Sequence, residues 1–337
     1  MQYFQFKGPF ELESGAILDG LTIAYSTYGL LNADKTNVVW VCHALTANSE
    51  VFQWWAGLFG ENKCINPKDH YVVCANILGS CYGTTGPLST NPGTGEPYFS
   101  RFPQVTIRDM VHAHILLRKH LEIPHIRLLL GGSMGGYQAL EWAVMEKSHI
   151  GDIFLIATSA TESAWGIGIH AAQRMAIEGD QSWRDNTPNA GHMGLKAARA
   201  MGILTYRNYR ILAQKQTDID IEKRDNYRAS SYVSYQGEKL AERFNAFSYW
   251  LLTKAMDSHH LARGRAGQLI PVLNGIHQRT LVIGITSDIL CPLEEQRMIN
   301  QHLPNAKLIE IDSAYGHDGF MVEVDKISAY LKEWMNY

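Results

Sequence analysis

The chain has 337 residues, of which 46% are hydrophobic and 19% are charged, and its formal net charge is -3. This length and apolar content allow a large core and exceed the usual single domain, which predicts a core domain with an inserted subdomain. There is no run of Lys or Arg, which argues against binding to nucleic acid or to an anionic membrane surface. The start of the chain lacks a secretory signal, and no stretch approaches the roughly 18 apolar residues that span a bilayer, so we expect a cytoplasmic protein.

The cysteines and histidines give no sign of a metal site. The cysteines are odd in number and lack C-x-x-C spacing, so we predict reduced, buried thiols and no disulfide framework or zinc site. They are Cys42, Cys64, Cys74, Cys81 and Cys291. The pair His112 and His114 falls in a helical pattern, where positions i and i+2 do not face one ligand, and His259-His260 lacks a partner. No metal is therefore predicted.

Strand and helix patterns alternate along most of the chain. Residues 10–28 are predicted to supply antiparallel strands at one edge of a sheet. Short apolar runs without strict alternation predict strands buried on both faces; they are 38–42, 71–75, 126–130, 153–156, 281–285 and 308–311. Helical patterns cover 106–121, 134–146 and 322–334. The alternation predicts an α/β fold in which helices flank a mostly parallel central sheet.

One long segment interrupts this alternation. Residues 161–271 are polar and predict successive helices, among them 170–178, 194–201 and 238–256, and the strand pattern returns only at Thr280. The predicted organisation is therefore an α/β core formed by residues 1–160 and 272–337, with residues 161–271 as a helical lid insertion.

A glycine-rich turn after a predicted strand supplies a candidate nucleophile. Residues 131–136 read Gly-Gly-Ser-Met-Gly-Gly, follow an apolar strand and precede a helix. This is the G-x-S-x-G nucleophile elbow, in which a turn too tight for flanking side chains lifts a serine oxygen clear of the sheet. The following helix presents free N–H groups to developing negative charge. The pattern predicts Ser133 as the nucleophile.

A serine nucleophile requires a base, and the base requires an acid that orients it. His317 lies after the last predicted strand and before the last helix, which favours it as the base. Asp288 directly follows another strand and is the predicted acid. Asp312 is the rival acid. It lies in the same loop as His317, and we expect the chain between them to be too short for Asp312 to orient the imidazole.

Acyl transfer also needs donors for the oxyanion that forms. The N–H of Met134, next to the nucleophile, is one predicted donor, and the N–H of Leu45, in the loop after an early strand, is the other. His43 in the same loop is interpreted as a structural hydrogen-bonding residue.

The chain resembles the homoserine O-acetyltransferase family of the α/β-hydrolase superfamily nearly from end to end. The segments that carry the resemblance are 10–15, 41–46, 76–87, 131–136, 139–142, 284–288 and 315–320. The resemblance implies transfer of an acetyl group from acetyl-CoA, a co-substrate and not a bound cofactor, to the hydroxyl of L-homoserine in methionine biosynthesis. It also implies a ping-pong mechanism and a homodimer assembled through the insertion.

The resemblance further implies three substrate-binding residues. Arg199 and Asp318 match the family's positions for the substrate, and their charges suit an α-carboxylate and an α-ammonium. Tyr232 lies in a segment similar to one that lines the family's tunnel. The sequence leaves open a succinyl donor, serine as acceptor, or a serine esterase. The chain departs from the family in its compactness and in residues 184–187, which could alter the lid.

Overall fold

The computed structural model describes residues 1–335, which are built around one eight-stranded sheet. The strands are β1 (Gln2–Glu11), β2 (Ile17–Tyr28), β3 (Val38–Cys42), β4 (Tyr71–Ala75), β5 (Ile126–Gly132), β6 (Ile150–Ile156), β7 (Thr280–Ile285) and β8 (Ala306–Ile311). Their order is β1-β2-β4-β3-β5-β6-β7-β8. The β1–β2 and β2–β4 pairs are antiparallel and the remaining pairs are parallel. The predicted mostly parallel sheet with an antiparallel edge is confirmed.

The α-helices in the described residues are α1 (Val51–Trp54), α2 (Ile107–His120), α3 (Met134–Met145), α4 (Ala164–Glu178), α5 (His192–Tyr206), α6 (Tyr209–Gln216), α7 (Arg228–Ala241), α8 (Ala246–Asp257), α9 (Leu269–Asn274), α10 (Leu293–His302), α11 (Gly319–Val322) and α12 (Val324–Met335). Local chemistry fixes the start of α2. The Thr106 hydroxyl accepts from the Asp109 N–H, and the Asp109 carboxylate accepts from the Thr106 N–H, which satisfies two donors that the helix itself cannot pair.

The sheet is buried on both faces, which explains why its central strands do not alternate between apolar and polar residues. In β3, Trp40 packs in one core, where its ring meets that of Trp142 edge-on at a centroid distance of 5.0 Å. Its neighbours Val39 and Val41 point into a second core on the opposite face, which also contains Trp55. The rigid sheet that results positions the loops at the carboxyl ends of its parallel strands.

Helices α4 to α9 lie between β6 and β7 in the chain, within or next to the stretch predicted as a helical insertion. The predicted helices at 170–178 and 194–201 fall inside α4 and α5. The single helix predicted over 238–256 is wrong, because α7 ends at Ala241 and α8 begins at Ala246. The break follows from Asn245, whose side chain accepts a 2.8 Å hydrogen bond from the Ser248 N–H and so caps a new helix.

The cysteines are all free thiols. Cys42, Cys74 and Cys291 are buried, whereas Cys64 and Cys81 are only partly buried. The prediction of a buried thiol is therefore wrong for Cys64 and Cys81. Within residues 1–335, no helix is both long enough and apolar enough to cross a membrane.

Candidate active site

Ser133 occupies a strained turn between β5 and α3. Its φ of 54° and ψ of -130° put a non-glycine residue in a left-handed region, which costs about 1–3 kcal/mol and marks functional sites. The surroundings hold this conformation: the Ser133 N–H donates to Ile156 O at 3.0 Å, and the Thr158 hydroxyl donates to Ser133 O at 2.8 Å. A Cβ at Gly135 would clash with the carbonyl oxygen of Cys42, so α3 can start beside β3 only with glycine there.

The three residues of the predicted triad form one hydrogen-bonded chain. The Ser133 Oγ lies 2.9 Å from His317 Nε2, and His317 Nδ1 lies 2.7 Å from Asp288 Oδ2. Because a carboxylate only accepts, Nδ1 carries the proton and donates to it, which leaves Nε2 as an acceptor for the serine hydroxyl. The three side chains are buried. His317 and Asp288, which lie 184 and 155 positions after Ser133 in the chain, thus meet it in the geometry of an activated nucleophile.

The rest of the acid loop orients Asp288. Its Oδ1 accepts hydrogen bonds from the N–H groups of Leu290 (2.8 Å) and Cys291 (3.0 Å), so Oδ2 is left to face the imidazole. The hydroxyl of Ser287 donates to Ser313 O and accepts from the Gly316 N–H, which ties the acid loop to the His317 loop. The rival acid, Asp312, instead accepts from the Thr286 hydroxyl at 3.1 Å.

The electrostatics of the site favour a basic His317. Burial on its own would lower the pKa of the imidazole, but the charge of Asp288 and its hydrogen bond outweigh burial and raise this pKa above its ordinary value. A base with a raised pKa accepts the serine proton more readily and then stays charged beside Asp288. The imidazole ring also packs edge-on against Phe320, and the two ring centroids lie 5.4 Å apart.

The loop after β3 lies beside Ser133, and the part of its Leu45 N–H as an oxyanion donor stays a prediction. Leu45 lines the same pocket as Ser133, and Met134 opens α3, so its N–H is among the donors that a helix leaves unpaired. The two backbones are joined by Gln138, whose side-chain amide donates to His43 O (3.1 Å) and to Met134 O (3.2 Å).

His43 is a structural residue, as interpreted from the sequence. Its Nε2 accepts from the Ile77 N–H at 3.1 Å, and its Nδ1 donates to Ala44 O at 2.9 Å. Full burial lowers its pKa to about 4, so the ring stays neutral and keeps both hydrogen bonds at neutral pH. The imidazole therefore fixes the path of the chain into the oxyanion loop.

A residue of the insertion also holds this loop. Arg243, between α7 and α8, donates from Nη1 to Thr46 O at 2.7 Å and contacts the Tyr82 hydroxyl. No motif in the sequence predicts this contact, which joins positions 197 residues apart.

A pocket with a cavity volume of about 80 Å³ lies over Ser133. Its lining residues are Ala44, Leu45, Thr46, Ala47, Ser133, His170, Arg199, Tyr206, Met256, Leu290, His317, Asp318, Phe320 and Met321. The insertion supplies four of them, from α4, α5 and α8, so its helices roof Ser133.

Both predicted charged residues, Arg199 and Asp318, face this pocket. The Arg199 Nε is buried and has no hydrogen-bond partner within residues 1–335, and the guanidinium lies 5.1 Å from the centroid of the Tyr206 ring. Asp318 is buried, and burial raises its pKa, although the positive charges of Arg207, His317 and Arg199 oppose this rise. The pocket therefore contains one cation and one carboxylate beside the nucleophile.

Arg207 is a further residue that the sequence analysis missed. Its Nε lies 3.0 Å from Asp318 Oδ2, close enough for an ion pair, although the N–H is not aimed at the oxygen. The backbone at this point is also tight, because a Cβ at Gly316 would lie 2.9 Å from Tyr206 O. The end of α5 therefore packs directly on the loop that carries His317.

Tyr232 is not brought to the pocket. It lies on α7, which packs against α5 and α6, and it is absent from the residues that line the cavity over Ser133. Its predicted part in a substrate tunnel stays a prediction.

Comparison with known proteins identifies the family. A model of the alpha/beta hydrolase fold matches residues 37–324. A homoserine O-acetyltransferase from Cyclobacterium marinum is 45% identical over 333 residues, which cover 99% of this chain and 94% of that protein. The chain belongs to the homoserine O-acetyltransferase family, within the α/β-hydrolase superfamily. The predicted family and fold class are confirmed, and the membership makes the chain an enzyme of an acyltransferase family.

Solved structures share the fold of this family member over its whole length. The homoserine O-acetyltransferase from Bacillus anthracis superposes with a TM-score of 0.92 at 24% identity, covering 100% of this chain and 97% of that one. An acetylester hydrolase from Corynebacterium glutamicum superposes with a TM-score of 0.88 at 21% identity, covering 100% and 96%. The same fold thus occurs in a transferase and in a hydrolase, and the distinction must come from the pocket.

Proposed function

We propose that this enzyme transfers the acetyl group of acetyl-CoA to the side-chain hydroxyl of L-homoserine through an acetyl-serine intermediate. The observation that carries the proposal is the guanidinium of Arg199, whose Nε has no partner among residues 1–335, in the pocket of Ser133, together with the Asp318 carboxylate. A half-buried cation and a buried carboxylate suit the α-carboxylate and α-ammonium of an amino acid, whereas a simple ester offers neither charge. The name shared by the close relatives supports the same substrates.

The first half-reaction forms the acetyl-enzyme. His317 Nε2 takes the proton of the Ser133 hydroxyl as Oγ attacks the thioester carbonyl, and the N–H groups of Leu45 and Met134 hold the resulting oxyanion. As the tetrahedral intermediate collapses, the C–S bond breaks and His317 gives its proton to the departing thiolate. Asp288 holds the imidazole in the required tautomer and stabilises its positive charge between these two transfers.

The second half-reaction uses the same base. Homoserine binds with its carboxylate on Arg199 and its ammonium on Asp318, which directs its hydroxyl at the acetyl-serine. His317 removes the hydroxyl proton, the oxygen attacks the ester carbonyl, and the proton returns to Ser133 Oγ as the acetyl group leaves. The product is O-acetylhomoserine, and the free enzyme is regenerated.

Water competes with homoserine for the acetyl-enzyme, so the roof over Ser133 is part of the proposal. The small cavity admits the reacting ends of the substrates and leaves the nucleotide part of CoA outside. Helices α4, α5 and α8 close the space around the acyl group, which limits the access of water. We further propose that the insertion, residues 161–271, is both lid and dimerisation surface of a cytoplasmic homodimer in methionine biosynthesis.

A donor–acceptor matrix tests the substrates. Acetyl-CoA and succinyl-CoA are each combined with homoserine and with serine, and thiol release is followed continuously. The proposal expects the highest kcat/KM for acetyl-CoA with homoserine. A preference for succinyl-CoA or for serine would reassign the donor or the acceptor.

The hydrolase alternative is tested on the same enzyme with p-nitrophenyl acetate. The transferase expectation is that homoserine accelerates turnover and diverts acetyl groups to O-acetylhomoserine. A rate that homoserine leaves unchanged, with acetate as the product, would favour an esterase. Ser133→Ala should abolish the burst of thiol release with either CoA donor, and a persistent burst would exclude Ser133 as the nucleophile.

A further inference from the structure

A second histidine–aspartate pair faces the catalytic pocket from the insertion. His170, on α4, is buried and lines the cavity over Ser133. Its Nδ1 lies 2.8 Å from Asp257 Oδ1, at the end of α8, and Arg174 Nη2 donates to Asp257 Oδ2 at 2.6 Å. Asp257 and Arg174, from two different helices, thus fix the His170 imidazole at the wall of the pocket, although the proposed reaction gives it no part.

The hydrogen bond to Asp257 decides what the other ring nitrogen can do. Because the carboxylate only accepts, Nδ1 carries the proton, and Nε2 of the neutral imidazole is then an acceptor. The hydrogen bond of His170 to Asp257 runs through Nδ1, and the ring lines the cavity, so Nε2 is the nitrogen available to a bound molecule. An acceptor beside a cavity gains a hydrogen bond when a bound molecule supplies the donor.

The polar groups of homoserine already have partners in the proposed reaction. Its carboxylate is matched to Arg199, its ammonium to Asp318 and its hydroxyl to His317. The unassigned acceptor therefore corresponds to a donor on the other substrate. Close to its thioester, acetyl-CoA carries two amides in an otherwise methylene chain, and each amide has an N–H group. Met256 and Leu290, which also line the pocket, suit the methylenes of such an arm.

We propose that His170 is a binding residue for the acyl donor, whose Nε2 accepts a hydrogen bond from an amide N–H of the donor's thiol arm. Asp257 and Arg174 are positioning residues that fix the tautomer and the direction of the ring. This inference rests on the proposed function, because it takes a CoA thioester as the donor.

The test compares thioesters with and without an amide. The donors are acetyl-CoA, S-acetyl-N-acetylcysteamine, which keeps one amide, and S-butyl thioacetate, which has none; homoserine is the acceptor throughout. His170→Ala should lower kcat/KM about tenfold for the two amide-bearing donors, the usual worth of one uncharged hydrogen bond. It should change kcat/KM for S-butyl thioacetate and for homoserine by less than about twofold.

Two further variants make the result specific. His170→Gln, whose amide oxygen can accept in place of Nε2, should restore part of the lost kcat/KM with acetyl-CoA. His192→Ala, a histidine of α5 that does not line this pocket, should behave as the wild type with every donor. The burst with S-butyl thioacetate measures the fraction of each variant with an intact triad.

The outcomes separate this inference from the proposed function. Equal losses with all three donors, or a loss confined to homoserine, would overturn a role of His170 in donor binding and leave the transferase intact. A wild-type enzyme that accepts S-butyl thioacetate but neither amide-bearing donor would overturn the proposed function as well.

Discussion

Replacement of Arg199 by alanine should separate the two half-reactions. The guanidinium has no carboxylate partner of its own within 4 Å in the described chain, and Asp318 keeps its ion pair with Arg207, so the loss should leave the fold intact. The cost falls on the bound amino acid. A hydrogen bond to a charged group contributes about 1.5–3 kcal/mol, which corresponds to a loss of roughly 10- to 150-fold in kcat/KM for homoserine.

The assay follows thiol release from acetyl-CoA before and during steady state. The rate and amplitude of the first burst, which report on formation of the acetyl-enzyme, should match the wild type, while turnover with homoserine falls mainly through a higher KM. Arg199→Lys, which keeps the charge but not the planar fork, should lie between the two. Lys196→Ala, on the same helix but outside the pocket, is the matched control and should change neither step. A burst slowed as much as turnover would refute the assignment of Arg199 to the acceptor.

Three further predictions concern the catalytic framework. Asp288→Asn should lower kcat about a thousandfold or more. Because only neutral His317 accepts a proton, wild-type kcat/KM should fall as the pH drops through the raised pKa of this imidazole. The variant lacks the charge of Asp288, so the inflection of its pH profile should lie at lower pH. An unmoved inflection would assign that pKa to another group. Gly135→Ala should lower the free energy of unfolding by about 1–3 kcal/mol in urea, whereas Gly168→Ala, in open space on α4, should not. Arg243→Met should slow the acylation burst about threefold to tenfold by releasing one hydrogen bond to the oxyanion loop; a normal burst would contradict that role.

The sheet and the triad could be predicted from the sequence because their signals are local. The buried strand at 38–42 is a continuous apolar run that coincides with β3, and the glycine-flanked serine follows a strand and starts a helix, as such an elbow must. Asp288 and His317 were predicted from their positions after strands. Parallel strands end at the same edge of a sheet, so the order of strands brings these loops together.

The interior of the insertion was harder to predict because packing, not periodicity, decides it. The pattern over 238–256 continues through Asn245, and only the capping hydrogen bond ends one helix and starts the next. His170, Arg207 and Arg243 lie in helical or polar stretches without a motif. The role of each depends on a contact with a residue that is distant in the sequence: Asp257, Asp318 and Thr46, respectively. Periodicity along the chain does not predict such contacts.

The contact between Arg207 and Asp318 has a consequence for how the enzyme exchanges its substrates. Because the end of α5 contacts Asp318, the residue next to His317, a large outward movement of this helix would separate Arg207 from Asp318 and disturb the imidazole at the same time. In the proposed reaction, we therefore expect CoA to leave, and the amino acid to enter, without such a movement of the helix. The proposed acetyl-serine would then stay shielded from bulk solvent while the two substrates are exchanged.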